Sequence, residues 1–372
     1  MINIKNIGFI LLTIIFTACS NTSNEDNSVD VDTPISEFKG ELVILDNDFG
    51  FSDPDNDGSL AAALSLHNQG YFKILALGRV GTDLQNNGTL ITAAQLYYHG
   101  LSNIKIGINP NSSKMRHVTT RATVNNPSLN SVYTGDYTDI RQFPSDGCLN
   151  NNIGCGSRAD VVQVYKEALI NAPRKVTIIS GGQLYNIAEL LRSEPALFAE
   201  KVKSVLFLGR SGPTTTTGQN FGGGDDYAKW ALHYVIDNLP DTTNLIETSM
   251  VHGISNYQKI PNSRVGTIFT QYHIQSPVAF VYGGNHPYGV GLIDGYSIID
   301  TIAVVYGAVG NTMPNGLPVG NLRGVTFVNS SKGADILSTP KGNHFELYGP
   351  IENWGYMTDF INQILISEKE PS

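Results

Sequence analysis

The chain has 372 residues, 41% hydrophobic and 15% charged, which is enough for one large domain or two ordinary ones with a substantial core. Its formal net charge of −9 and its lack of any run rich in Lys or Arg argue against a nucleic-acid partner. A slightly acidic balance of this kind is otherwise typical of ordinary soluble proteins.

The first residues have the pattern of an export signal. Lys5 precedes an almost wholly apolar stretch, residues 7–18, which is too short to span a bilayer of ~30 Å. The segment Phe-Thr-Ala-Cys that ends at Cys19 resembles a bacterial lipobox, and Ser20 stands where a retaining Asp would keep the protein at the inner membrane. The resemblance predicts a signal peptide over residues 1–18 and an outer-membrane lipoprotein anchored through Cys19. The alternative is an ordinary cleaved secretory signal in which Cys19 is incidental.

The segment after the export signal is rich in Ser, Asn, Asp, Glu and Thr. It predicts a flexible tether over residues 19–39, followed by a single folded domain over residues 40–368. Cys148 and Cys155 are the only other cysteines, and in an oxidising compartment we expect them to form a disulfide worth roughly 2–3 kcal/mol. Metal binding by these two cysteines is disfavoured because no second Cys or His pair lies nearby in the sequence.

Short apolar runs then alternate with helical patterns, which predicts βαβ units and a mainly parallel open sheet flanked by helices. Strands are predicted at residues 42–45, 72–77, 104–108, 176–180, 202–208 and 325–328. Helices are predicted at residues 59–68, 90–99, 160–170, 184–192, 226–235, 300–308 and 357–366, with Ser157 as the N-cap of the third. Long polar or Gly-rich stretches at residues 109–155, 211–225 and 310–322 are of a length usually associated with function.

Five aspartates lie within twelve residues after the first predicted strand: Asp46, Asp48, Asp53, Asp55 and Asp57. Like charges this close repel, and burying them is costly unless a cation lies between them. The stretch contains no Lys or Arg, so the simplest neutraliser is Ca²⁺ or Mg²⁺ bound by oxygen ligands. The carboxyl end of a strand is also where α/β proteins bind their ligands.

Two other interpretations of the acidic run are open. Residues 53–58 match the start of an EF-hand loop, although Leu64 stands where that loop needs a bidentate Glu. The aspartates could also form a solvated turn that caps the next helix. A metal-centred active site is the third interpretation.

Three segments support that third interpretation by their order and spacing. The first runs from Asp46-Asn-Asp48-Phe-Gly through residues 53–58, the second is residues 179–188, and the third is residues 299–304. They resemble the D-x-D-x-G, T-G-P-L-T-N-I-A and H-D-P-x-A-V motifs of the nucleoside hydrolases, the inosine–uridine-preferring group. The resemblance implies that family's α/β fold and a calcium-dependent hydrolysis of ribonucleosides or related N-ribosides to free base and ribose.

The resemblance also implies a role for single residues. Asp48 matches the aspartate that binds Ca²⁺ and is proposed to activate the attacking water. Asn56 falls on a bidentate metal ligand, and Gly181 on the residue that gives a main-chain carbonyl to the metal. Asp300 matches the late aspartate that binds both the metal and the ribose, and Asp46 matches the opening aspartate that supports the site and is assigned to substrate binding.

Three more residues match positions that contact the sugar. Asp55 matches the aspartate that binds the ribose 2′-hydroxyl, and Asn220 and Asn87 correspond to sugar-contacting asparagines. Cleaving an N-glycosidic bond passes through an oxocarbenium-like sugar, which nearby carboxylates stabilise. A Ca²⁺ that holds the sugar diol and a water would orient the nucleophile.

The sequence departs from the family at two of these positions. Asn56 replaces a charged ligand with a neutral one, which predicts weaker Ca²⁺ binding unless Asp53 or Asp57 substitutes. Ile299 stands where many members carry the His linked to protonating the leaving base, a role for which His286 and His344 are the candidates. A non-catalytic member that binds a sugar or nucleoside is therefore the second hypothesis. Nucleobase preference, membrane face and assembly into a homo-oligomer are left open.

Overall fold

The structure is a computed structural model that describes residues 34–49, 54–80, 87–109, 159–209, 220, 226–248, 276–280, 300–349 and 351–367. The predicted signal peptide, Cys19, Cys148 and Cys155 lie outside these residues. Within them, no helix combines the length and apolar character needed to cross a bilayer.

The strands form one large sheet and one small hairpin. The strands are β1 (Glu41–Asn47), β2 (Phe72–Arg79), β3 (Lys105–Ile108), β4 (Ala159–Asp160), β5 (Val176–Ser180), β6 (Val202–Phe207), β7 (Asn244–Glu247), β8 (Asn321–Gly324), β9 (Thr326–Ser330), β10 (Gly333–Leu337) and β11 (His344–Tyr348). The nine-stranded sheet has the order β4-β3-β2-β1-β5-β6-β7-β11-β8, and only its β11–β8 pair is antiparallel. β9 and β10 pair separately. The predicted α/β class with a mainly parallel open sheet is confirmed.

Helices cover both faces of the large sheet. They are α1 (Pro54–Asn68), α2 (Asn87–Tyr98), α3 (Val161–Asn171), α4 (Tyr185–Ser193), α5 (Pro195–Lys201), α6 (Asp226–Asn238), α7 (Pro277–Phe280), α8 (Asp300–Val309) and α9 (Ile351–Ser367). β1 is buried on both sides, as expected for a central parallel strand. Val43 and Leu45 face the core formed with α1, α2, α8 and α9, whereas Leu42 and Ile44 face the core formed with α3, α4 and α6.

Some boundaries differ from the prediction. Asp160, rather than Ser157, caps α3, because its Oδ1 accepts a hydrogen bond from the Val162 N–H at 2.9 Å. In place of the single strand predicted at residues 325–328, the structure has two strands: β8 ends at Gly324 and β9 begins at Thr326. β7, β10 and β11 were not predicted, because each has only four or five residues and mixes apolar with polar side chains.

The folded part begins before residue 40. Phe38 is only 2% exposed, and the Lys73 ammonium lies 5.7 Å from the centre of its ring. Arg174 Nη1 donates to the Phe38 carbonyl at 2.6 Å. The last residues assigned to the predicted tether therefore belong to the packed domain.

Candidate functional site

The centre of the sheet contains a topological switch point. From β1 the chain builds outward through β2 and β3 to β4, and then returns to build β5, β6 and β7 on the other side. β1 and β5 are therefore neighbours whose following loops run in opposite directions, which opens a crevice at their carboxyl ends. Asp46 and Ser180 are register partners at this point, so Asp48 and Gly181 lie at the same edge.

Asn47, at the end of β1, connects the predicted site residues. Its Nδ2 donates to Asp300 Oδ2 at 3.0 Å, and its Oδ1 accepts the Asp48 N–H at 2.8 Å. Its amide also packs directly on Gly181, where an added Cβ would lie 2.3 Å from Nδ2. Asp48, Gly181 and Asp300 are thus gathered around one buried amide, which the sequence analysis did not single out.

Asp300 reaches this place because α8 packs closely on the sheet. It is the first residue of α8, where the helix N-terminus favours a negative charge, and it is 3% exposed. Gly307, further along α8, allows the close approach, since a Cβ there would lie 2.5 Å from Ile179 of β5. The structure therefore brings the late aspartate to the end of β1, as the resemblance implies.

The Gly181 main chain makes two hydrogen bonds at the crevice. Its N–H donates to the Asp46 carbonyl at 3.0 Å. Its carbonyl, the predicted metal ligand, accepts from Asn220 Nδ2 at 2.6 Å. Asn220, predicted to contact ribose, is thereby placed in the crevice beside Gly181.

The first turn of α1 sends two side chains in different directions. Asn56 is 5% exposed, and its Nδ2 lies 3.5 Å from the Asp48 carbonyl, so this residue faces the end of β1. Asp57 is fully buried, and its Oδ1 accepts from Gln95 Nε2 of α2 at 3.0 Å. Asp57 would have to leave Gln95 to replace Asn56 as a metal ligand.

Three predicted residues are only partly covered by the structure. Asp53 lies outside the described residues. Asp55 lies in the first turn of α1, and Asn87 is the first residue of α2, but the side chains of both lie outside the described part. Their assignment to the sugar or the metal stays a prediction.

Asp46 is buried beneath the crevice and is bound by the protein itself. Its Oδ1 accepts from the Tyr165 hydroxyl at 2.5 Å and from Asn186 Nδ2 at 2.6 Å, and Ser180 Oγ lies 3.4 Å from its Oδ2. Asn109 Nδ2 donates in turn to Asn186 Oδ1 at 3.0 Å. Burial raises the pKa of the Asp46 carboxyl to about 7, against the opposing effect of its hydrogen-bond donors.

A protein cation lies beside the acidic run, although none lies within it. Arg79, at the end of β2, is fully buried, and its Nε donates to the Phe49 carbonyl at 2.9 Å. Its guanidinium packs on Gly88, where a Cβ would lie 2.1 Å from Nη2. A buried protein cation therefore contacts the main chain of the acidic segment at Phe49, in addition to the divalent cation that the sequence analysis gives as the simplest neutraliser.

His344, a candidate for protonating the leaving base, is not brought to the crevice. It begins β11 and is separated from β1 by β5, β6 and β7. Its Nδ1 accepts the Phe327 N–H at 3.3 Å, and burial together with the charge of Lys341 lowers the pKa of its imidazole to about 4. The other candidate, His286, and Ile299 lie outside the described residues.

The sequence matches no protein-family model and no curated protein. The fold does match solved structures. The inosine-uridine preferring nucleoside hydrolase from Bacillus anthracis superposes with a TM-score of 0.55 and 14% identity over 88% of this chain and 100% of its own. An inosine-guanosine nucleoside hydrolase does so with a TM-score of 0.57 and 15% identity over 87% of this chain and 98% of its own. This chain has a nucleoside hydrolase-like fold.

The same nucleoside hydrolase-like fold occurs in a protein of another description. The type III effector protein XopQ, complexed with adenosine diphosphate ribose, has a TM-score of 0.53 and 12% identity over 91% of this chain and 100% of its own. At these identities the likeness concerns the fold. Roles for individual residues therefore depend on the geometry of this chain.

The oxygen donors at the crevice fit a calcium ion in chemical type. They are the Asp48 and Asp300 carboxylates, the Gly181 carbonyl and the Asn56 amide oxygen, all hard ligands of the kind that Ca²⁺ binds. Within the described part of the chain, no three His, Cys, Asp or Glu side chains form a metal-binding group by themselves. The donor set at this crevice is thus poor in charge, which favours weak binding of the ion.

Proposed function

We propose that this chain hydrolyses the N-glycosidic bond of ribonucleosides or related N-ribosides, using Ca²⁺ and releasing free base and ribose. The observation that carries the proposal is the gathering of Asp48, Gly181 and Asp300 around Asn47 at the switch point of a nucleoside hydrolase-like fold. The solved relatives described above are named for hydrolysing inosine, uridine and guanosine, which supports the same class of substrate here.

Asp48 would accept the proton in this reaction. It follows the last residue of β1, is only half-buried, and has its N–H fixed by Asn47. A carboxylate in that position can take the proton of a water that attacks the anomeric carbon. Asp300, held by the same Asn47, would bind ribose hydroxyls and stabilise the positive charge that develops on the sugar.

The residues that would hold Ca²⁺ are Asp48, Asn56, Asp300 and the carbonyl of Gly181. A bound Ca²⁺ supplies orientation of the sugar diol and of the water, and makes that water more acidic. Asn56 brings no charge to this set, so the affinity for the ion should lie below that of a site with a third carboxylate. Asn220, whose Nδ2 donates to the Gly181 carbonyl, would contact the ribose.

The test is release of base and ribose from a panel of purine and pyrimidine ribonucleosides in the presence of Ca²⁺. We expect turnover of at least one of them, abolished by chelation and by Asp48→Asn. A folded wild-type protein that releases neither base nor ribose from any nucleoside would refute the proposal.

Binding without catalysis is a second candidate, because Asn56 stands where the resemblance implies a carboxylate. Such a protein would bind a nucleoside or a sugar at the same crevice and leave it intact. Calorimetry on the same nucleoside panel separates the two functions, since measurable binding with no product would favour the second.

We also propose that the protein is an exported lipoprotein of the outer membrane, anchored through Cys19. The support is the charged, apolar and lipobox-like order of residues 1–19. Growth with a labelled fatty acid should label the wild-type protein and not Cys19→Ser. Equal labelling of both, or none of the wild type, would refute the anchor.

A further inference from the structure

Two glycines clear a groove on the face of the sheet that carries Asp46. Gly78 of β2 is the register partner of Asp46 on one side and of Gly107 on the other. A Cβ at Gly107 would lie 2.6 Å from the Cα of Val161, and a Cβ at Gly78 would lie 1.6 Å from the Tyr165 hydroxyl. The absence of both Cβ atoms is what allows α3 to lie this close to β3 and β2.

Tyr165 uses the groove to reach across β2 to β1. It lies one helical turn after Val161 on the same face of α3, so the two side chains follow the line of the two glycines. Its hydroxyl donates to Asp46 Oδ1 at 2.5 Å, and neither side chain has any exposed surface. A buried hydroxyl is costly without a partner, and the Asp46 carboxylate supplies one while it also accepts from Asn186.

The position of Asp46 decides the position of the residues that follow it. The Asp46 carbonyl accepts the Gly181 N–H at 3.0 Å, and the Asn47 carbonyl accepts the Val80 N–H at 2.9 Å. Asn47 then holds Asp300 and the Asp48 N–H. A displacement of the Asp46 side chain would therefore also shift the adjacent residue, Asn47, and with it the groups that Asn47 holds at the crevice.

We propose that Tyr165 is a positioning residue for the site: through Asp46 it fixes the end of β1 so that Asn47 and Asp48 meet Gly181 and Asp300. Tyr165 lies on the opposite face of the sheet from α8, and its hydroxyl bonds Asp46 rather than Asp48, Gly181 or Asp300. The part of the proposal that concerns turnover rests on the proposed function, and the part that concerns the fixed end of β1 does not.

The experiment compares Tyr165→Phe with Tyr227→Phe. The control loses an equivalent tyrosine–carboxylate hydrogen bond, since the Tyr227 hydroxyl donates to Glu189 Oε1 at 2.7 Å, between α6 and α4. The first readout is amide hydrogen exchange at Gly181 and Val80. We expect exchange at both amides to be about 10- to 100-fold faster in Tyr165→Phe, the factor for removing one partner from a buried hydrogen-bonded pair, and unchanged in the control.

A second variant reaches the same contact from the other side. In Gly78→Ala the new Cβ would lie 1.6 Å from the Tyr165 hydroxyl oxygen and 2.7 Å from Asp46 Oδ1, so it forces the two groups apart without removing the hydroxyl and should give the same exchange pattern. This variant keeps the test decisive if Tyr165→Phe folds poorly.

The second readout is the division of the effect between kcat and KM. Tyr165→Phe should lower kcat about tenfold or more and leave KM within about twofold. The reason is that misplacing Asp48, the general base for the attacking water, impairs the chemical step more than substrate binding. Unchanged protection of Gly181 and Val80, or an effect on KM alone, would overturn the proposal. A folded wild type without any turnover would refute the proposed function instead, and amide exchange would still decide the role of Tyr165.

Discussion

Replacing Gly181 by alanine should damage the site through Asn47. The new Cβ would lie 2.3 Å from Asn47 Nδ2, 2.6 Å from its Cγ and 2.7 Å from its Oδ1, whereas an ordinary contact begins at 3.4 Å. The Asn47 amide would thus have to retreat by about 1 Å, which breaks its bonds to Asp300 and to the Asp48 N–H.

The size of the effect follows from that displacement. A misplacement of about 1 Å in a catalytic group costs on the order of 100-fold in rate. Overpacking of this kind also destabilises by about 1–3 kcal/mol. We therefore expect Gly181→Ala to reduce kcat/KM about 100-fold and to lower the free energy of unfolding by roughly 2 kcal/mol.

The neighbouring glycine supplies a matched control. A Cβ at Gly182 would meet Val80 at 3.3 Å and the Asp48 nitrogen at 3.4 Å, which small shifts can relieve. Base release and urea unfolding are measured for Gly181→Ala, Gly182→Ala and the double variant Gly181→Ala/Asn47→Ala. The double variant should recover stability relative to Gly181→Ala but not activity. Equal activities of the two alanine variants would refute the role assigned to Asn47.

Metal affinity, pH dependence and charge balance give three further tests. Asn56→Asp should tighten Ca²⁺ binding by about tenfold or more in calorimetry, because it adds a carboxylate to the site; no change would place Asn56 outside the ligand set. His67 accepts a main-chain N–H, and burial, Lys73 and His99 lower its pKa to about 4. Folding thus favours the neutral form of His67. Its contribution to the free energy of unfolding is complete above pH ~6.5, and about 3 kcal/mol is lost as the pH falls towards 4. In urea unfolding, His67→Gln should show a flatter dependence of stability on pH, and an unchanged dependence would contradict the assignment. Arg79→Gln should tighten Ca²⁺ binding about threefold or more, because it removes a buried positive charge beside the site, whereas Arg79→Lys should not; weaker binding in Arg79→Gln would mean that the arginine acts mainly by holding Phe49.

The sequence was sufficient to place the ends of β1 and β5. Asp46, Asp48 and Gly181 follow strong apolar strands, and carboxyl ends of parallel strands meet at one edge. Asp300 required the resemblance, because nothing local to α8 shows which strand end it approaches. Asp48, Gly181 and Asp300 were assigned to the site from sequence, and the structure brings them together around Asn47, whereas the Asp46 side chain lies on the other face of the sheet.

Partners that come from distant segments could not be predicted. Tyr165 lies 119 positions from Asp46 in sequence, and its apolar surroundings on α3 are typical of an ordinary core tyrosine. Arg79 ends an apolar strand, and from sequence a charged residue at a strand end is predicted to be exposed. Asn47 had a usable signal, since it stands between two aspartates at a strand end and alternation places it on the opposite face from Asp46.

Short strands with buried charge were also missed. β7 ends in Glu247 and β11 contains Glu346, and both glutamates are almost completely buried. The Glu346 carboxylate is paired with Arg323 on the adjacent strand β8, and the Gly209 N–H lies 3.3 Å from the Glu247 carboxylate. A stretch of four or five residues that includes polar side chains is usually predicted to be a loop. The ion pairs and hydrogen bonds that make burial of those side chains tolerable come from neighbouring strands and are visible only in the folded sheet.

The alternation of β1 divides its last two residues between the two faces of the sheet. The Asn47 side chain belongs to the side of α8, and the fully buried Asp46 side chain belongs to the side of α3. Directed evolution of this protein should therefore return activity-changing substitutions from both layers. Substitutions on the α3 side of the sheet would change activity without contacting the crevice. A library restricted to crevice-lining positions would not include them.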